Sequence, residues 1–128
     1  MGAGETDEQL AERLATAAGV MLLDLQASGK FVGKSLGQAG DARANAMLMH
    51  ELRAARPDDA ILSEEEKDNV VRCGNKRAWI VDPLDGTREY SEGRSDWAVH
   101  VALAIDGVPT VGAVALPGLG LTLTSGSP

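Results

Sequence analysis

Few dipeptides commit a backbone as firmly as Asp106-Gly107. It separates two runs of strand composition, WAVHVALAI (97–105) and TVGAVAL (110–116). An Asp-Gly link tolerates the positive φ angles of a tight hairpin turn, so the two runs are expected to pair antiparallel. Pro117-Gly118 then turns the chain again, and LGLTLT (119–124) alternates like a third strand. The last third of the chain is therefore expected to be a mainly antiparallel sheet.

The first half has a different period. Thr6 followed by Gln9 reads as a capping box. Leu10, Leu14, Ala17, Met21 and Leu25 recur at helical spacing, which predicts a helix from about Asp7 to Ala27, ended by Ser28-Gly29. Residues 29–40 (GKFVGKSLGQAG) hold four glycines and two lysines with no sustained period, and read as a mobile loop. Asp41 then opens a second helix, with Ala44, Leu48, Met49 and Leu52 on one face and Arg53 and Arg56 in its last turn, where cations favour the dipole. Pro57-Asp58-Asp59 stops it. AILS (60–63) and AWIV (78–81) read as short apolar strands, the second ending abruptly at Asp82-Pro83, with a polar Gly-Asn turn between them. Two helices followed by a run of strands indicate an α+β fold in one domain over residues 1–128.

Charge and composition restrict the partners. Twelve Lys and Arg against nineteen Asp and Glu give a net charge of −7, which repels nucleic acid unless the cations cluster, and they do not. The four aromatics, Phe31, Trp79, Tyr90 and Trp97, are too few for a base-stacking platform. No apolar run reaches the roughly 18–20 residues of a bilayer span. The acidic start MGAGETDEQL has no secretory apolar core. Gly2 and Thr6 match a myristoylation pattern, but the pattern is loose and Thr6 serves better as a helix cap. The one cysteine, Cys73, excludes an internal disulfide and points to a reducing, cytoplasmic setting. His50 and His100 have no partner at metal-ligand spacing and read as structural. Lys30 and Lys34 read as part of the solvated loop, and Arg94 as surface charge.

Chemistry is concentrated at two strand ends, Glu64-Glu65-Glu66 and Asp82-Pro83-Leu84-Asp85-Gly86-Thr87. Carboxylates gathered in this way repel one another unless a cation lies between them, and an oxygen-only donor set suits a hard ion such as Mg²⁺. Pro83 stiffens the turn, Asp82 and Asp85 can face one ion pair, and the Leu84 carbonyl is a further donor. Gly86 allows close backbone approach to a phosphate, and residues 86–90 can begin a helix with free amides. Five specified positions of this kind recur by chance about once per 10⁶ starts.

SEEE followed by WIVDPLDGTREY resembles the magnesium-dependent, lithium-sensitive superfamily of inositol monophosphatases and fructose-1,6-bisphosphatases. Arg88-Glu89-Tyr90, GQAGDARAN, ARPDDAILSEE and DWAVHVAL resemble its CysQ-type 3′(2′),5′-bisphosphate nucleotidases, the actinobacterial ones in particular. The resemblance runs from about residue 8 onward and implies the layered αβαβα sugar-phosphatase fold. It implies two or three Mg²⁺ ions. Glu64, Asp82, the Leu84 carbonyl and Asp85 would be metal ligands, and Gly86 and Thr87 would bind phosphate. Glu64, Thr87 and Asp41 would activate water, with Glu65 and Arg88 as further candidates.

The implied activity is removal of the 3′-phosphate of 3′-phosphoadenosine 5′-phosphate, a by-product of sulfate assimilation. Inositol 1-phosphate and fructose 1,6-bisphosphate are the alternative substrates. Homodimers are common among such enzymes, though no interface signature is legible here. The family's third motif, a Trp-Asp pair, is not in this sequence, where Asp96 precedes Trp97 in the reverse order. The chain is accordingly expected to be the N-terminal half of such an enzyme, the C-terminal portion with a further metal ligand and most specificity residues lying beyond Pro128. The non-enzyme alternative is that the chain is an inactive metal-binding portion lacking that ligand.

Overall fold

The computed structural model describes residues 4–63 and 76–125. Glu64, Glu65, Glu66, Cys73 and the Gly-Asn turn lie outside the described residues.

Helix α1 (Asp7–Ser28) begins as its sequence dictates. The Thr6 hydroxyl accepts from the Gln9 amide at 3.1 Å, and the Gln9 side chain accepts from the Thr6 amide at 2.9 Å. Leu10, Leu14, Ala18, Leu22 and Leu25 line its buried face. Gly29, at φ 71°, closes it in the left-handed conformation. Helix α2 spans Gly33–Ala55 and so includes most of the segment read as a loop. Asp41 and Lys34 are therefore helical residues, and Asp41 sits well inside α2 rather than at its start. Glycine normally weakens a helix by about 1 kcal/mol. Here tertiary packing overrides that cost: Gly37 and Gly40 are buried where another element crosses closely. The helix ends at Arg56, immediately before Pro57, where the α conformation is disfavoured.

Five strands follow in one sheet, in the order β1-β2-β3-β4-β5. They are β1 (Ala60–Ser63), β2 (Arg77–Asp85), β3 (Ala98–Ile105), β4 (Val108–Leu116) and β5 (Leu121–Thr124). β1 pairs parallel with β2, and the other pairings are antiparallel. Asp106 (φ 53°) and Gly107 (φ 79°) form the expected tight turn between β3 and β4. Pro117–Leu119 make a single 3₁₀ turn, so the last strand begins later than the alternation implied. Between β2 and β3 lies the short helix α3 (Thr87–Ser91).

Both long helices cover one face of the sheet, α1 across β3 and β4 and α2 along β2. The main core lies between them, built from Leu10, Leu14, Leu22, Leu48, Leu52, Trp79, Val99, Val101 and Leu103. A smaller apolar group, Ala78 and Ala104 with Leu62 and Ile80 against them, occupies the opposite face. At one end of the sheet, polar groups tie the layers together. Arg56 and Arg77 both reach Asp7, at 3.0 and 2.9 Å. Asp59 accepts from Arg77 at 3.0 Å and from the Trp79 indole at 2.9 Å. Burial would raise the Asp7 pKa, but hydrogen bonds from Arg77 and Arg56 outweigh it and hold the carboxyl below its ordinary value.

Candidate active site

At the other end of the sheet, β2 does not stop at Asp82-Pro83 but continues to Asp85. Asp82 pairs with His100 and Asp85 with Ala98, so β2 carries one more residue than β3 across this interval. That extra residue is a β-bulge, a place where a strand tolerates proline's missing N–H. The bulge decides which way Asp85 points. Val81 faces the helices and Asp82 the opposite side; strict alternation would return Asp85 to the helix face. With the bulge, Leu84 is buried in the main core instead. Asp85, opposite Ala98, falls on the same face as Asp82 and His100.

Asp82 lines a hollow of about 280 Å³ with Asp41, Asn45, Ser63 and Pro83. Asp41 and Asn45 are one turn apart on α2 and share a face. Asp85 and Gly86 line a larger hollow of about 460 Å³ with Glu89, Asp96 and Trp97. Asp82 and Asp85 thus share a sheet face but open into different hollows. Among the described residues, neither lining includes a lysine or arginine. Among the described residues no group of three or more His, Cys, Asp or Glu comes together to hold a metal.

The turn after β2 is held from several sides. The Thr87 hydroxyl donates to the Leu84 carbonyl at 3.2 Å. Gly86, at φ 91°, makes the corner, and a Cβ there would lie 3.1 Å from that of Trp97. Tyr90, fully buried, donates its hydroxyl to the Leu22 carbonyl at 2.6 Å. Its ring meets Trp97 edge-on, with centroids 4.9 Å apart. Burial pushes the Tyr90 hydroxyl pKa up to about 12. Gln26 donates to the Tyr90 and Arg94 carbonyls, both at 3.0 Å. A Cβ on Gly37 would stand 2.4 Å from the Ser91 Oγ and 2.9 Å from the Thr87 Cγ2, so only glycine lets α2 approach α3 this closely.

The structure therefore brings Asp41 near Asp82, and Leu84, Asp85, Gly86 and Thr87 onto one anchored turn. Arg88 is 85% exposed and pairs with Glu92 at 3.5 Å, outside the lining of both hollows. Arg94 is engaged by Asp96 at 2.6 Å. His100, read as structural, faces the candidate site: its Nε2 lies 3.1 Å from Asp85 Oδ2. Asn45 also escaped the sequence reading, although its spacing four residues after Asp41 on a helix was a usable signal.

The chain resembles known proteins in sequence and in fold. The chain is 56% identical over 100 residues to the 3′-phosphoadenosine 5′-phosphate phosphatase of Mycobacterium leprae, covering 77% of this chain and 37% of that protein. It is 40% identical over 80 residues to the 3′(2′),5′-bisphosphate nucleotidase CysQ of Escherichia coli, covering 62% of this chain and 32% of the other. The chain thus spans less than half the length of these relatives. Inositol monophosphatase II of Staphylococcus aureus shares the fold, with a TM-score of 0.79 at 22% identity over 91% of this chain and 43% of that one. The signature of the inositol monophosphatase family matches residues 5–127, and the chain belongs to that family.

Proposed function

We propose that this chain carries the metal- and phosphate-binding half of a Mg²⁺-dependent phosphomonoesterase that removes the 3′-phosphate of 3′-phosphoadenosine 5′-phosphate. The observation that carries the reading is the bulge in β2, which turns Asp82 and Asp85 onto one face beside a turn anchored through Thr87 and Tyr90. The substrate is drawn from the names of the mycobacterial and CysQ relatives.

The residues fit the ion the family implies. The donors are carboxylate and carbonyl oxygens, the type a hard divalent cation takes. Among the described residues the hollows' linings are acidic and hold no lysine or arginine, so a phosphate dianion would be repelled by them without added positive charge. Asp82, Asp85 and the Leu84 carbonyl, with Glu64, would hold Mg²⁺. Bound there, Mg²⁺ supplies positive charge that acidifies water and stabilises charge on the departing oxygen.

The chain's own groups do the rest. The Gly86 and Thr87 amides hold the phosphate. Glu64 and the Thr87 hydroxyl orient the attacking water, and Glu64, supported by Asp41, receives its proton. The water oxygen forms the new P–O bond as the ester P–O bond breaks, and the departing 3′-oxygen takes a proton from solvent. The setting is cytoplasmic, where such a nucleotide would arise.

Phosphate release tests the reading, with 3′-phosphoadenosine 5′-phosphate, inositol 1-phosphate and fructose 1,6-bisphosphate as substrates, Mg²⁺ present, and Li⁺ added or omitted. Preferential release from the nucleotide, inhibited by Li⁺ and abolished in Asp82→Asn, is the expected result. Preference for a sugar phosphate reassigns the substrate. No release by the 128-residue chain leaves it a metal-binding portion without activity of its own.

A further inference from the structure

We propose that His100 is a positioning residue that fixes the Asp85 carboxylate for the cation, an inference that rests on the metal-site reading above. An ionised carboxylate offers only acceptors, so the 3.1 Å contact between His100 Nε2 and Asp85 Oδ2 has the ring N–H as donor. That bond occupies one Asp85 oxygen and restricts the rotation that would otherwise let the exposed side chain swing in water. It is the hydrogen bond that the described side chains offer Asp85.

The sheet builds this contact. His100 stands opposite Asp82 in the β2–β3 register, and the bulge brings Asp85 around to the same face. One imidazole therefore lies across from the first candidate carboxylate and bonded to the second. Carboxylates that hold a metal are themselves commonly held by hydrogen bonds, and removing such a partner weakens metal binding by about 10–100-fold. As a stabilising contact the pair counts for little. Its side chains are 39% and 60% exposed, and exposed ion pairs contribute about 0–1 kcal/mol. An effect on metal affinity and an effect on folding can thus be separated.

The test is calorimetric titration of the full 128-residue chain with Mg²⁺, alongside thermal melting without Mg²⁺. The variants are His100→Ala, His100→Gln and Asp85→Asn. Glutamine places an amide N–H near the position of the ring Nε2. His100→Ala is expected to weaken Mg²⁺ about 10–100-fold with little change in melting, and His100→Gln to recover most of the affinity. If Asp85→Asn weakens Mg²⁺ but His100→Ala does not, the inference fails and the site reading stands. If His100→Ala lowers affinity and melting temperature together, or glutamine rescues nothing, the donor role is wrong. If the unaltered chain binds no Mg²⁺, the site reading fails and takes this inference with it.

Discussion

Gly40→Ala pits two opposing physical effects against each other in the interior of α2. Alanine is the better helix former, and in an open helix the exchange stabilises by about 1 kcal/mol. At Gly40 the new methyl would stand 2.7 Å from the Tyr90 Cε2, 3.1 Å from the Leu22 Cδ2 and 3.2 Å from the Tyr90 Cζ. Leu22 can adjust its rotamer. Tyr90 cannot retreat easily, because its hydroxyl is tied to the Leu22 carbonyl at 2.6 Å and its ring lies against Trp97. Overpacking of this kind costs about 1–3 kcal/mol. Displacing the ring also puts at risk a hydrogen bond worth about 0.5–1.5 kcal/mol. The net expectation is destabilisation by about 1–3 kcal/mol, read as a lower urea midpoint and a melting temperature reduced by about 3–5 °C per kcal/mol. The same substitution made in a Tyr90→Leu background should cost much less, because the obstructing ring is gone. A rise in stability on Gly40→Ala, or an equal penalty in both backgrounds, would refute the argument that α2 carries glycine here to admit Tyr90.

Other outcomes follow from the same contacts. The folded pKa of Asp7 is lowered, so its pairing stabilises above the unfolded carboxylate value of about 4 and is lost as pH falls through the folded value. Urea midpoints at neutral and acid pH should therefore fall further in the wild type than in Asp7→Asn. Tyr90 is the chain's single tyrosine, so absorbance near 295 nm follows it alone. Its folded pKa of about 12 lies above the usual 10, so its burial favours the fold below the usual value and this contribution disappears as pH rises through about 12. Ionisation at pH 10 in the folded protein would contradict its burial. Tyr90→Phe should cost about 1 kcal/mol in chemical unfolding, the worth of its bond to Leu22.

Local chemistry made several of these elements legible. Thr6 and Gln9 announce the start of α1, and Asp106-Gly107 announces the hairpin, because each motif satisfies its own backbone within a few residues. The Asp82–Thr87 segment was equally recognisable, since its residue types are specified by what they could bind. The start of α2 was not legible. Gly33, Gly37 and Gly40 carry a strong local signal for a loop, and the reason for a helix lies in Thr87, Tyr90 and Ser91, about fifty residues away. The continuation of β2 past Pro83 was hidden for a related reason: whether proline ends a strand or sits in a bulge depends on the partner strand. His100 shows the same limit. Its place in WAVHVALAI puts it opposite the buried Val99 and Val101, but only the register with β2 reveals Asp85 beside it.

The polar tie among Asp7, Arg56, Arg77 and Asp59 also bears on the order of folding events. Asp7 meets Arg56 across 49 residues of sequence and Arg77 across 70. Closing loops of that length costs chain entropy before any contact rewards it. The β3–β4 hairpin and the capped α1 need no such closure and can form early. The arginines can grip Asp7 only after α1, the end of α2 and β2 have converged, so their bonds should be scarcely formed in the folding transition state. Interactions that form late act chiefly on the rate of opening. Cutting the tie should leave refolding nearly as fast as before while hastening unfolding, which makes this corner of the molecule a latch on its lifetime rather than a guide to its assembly.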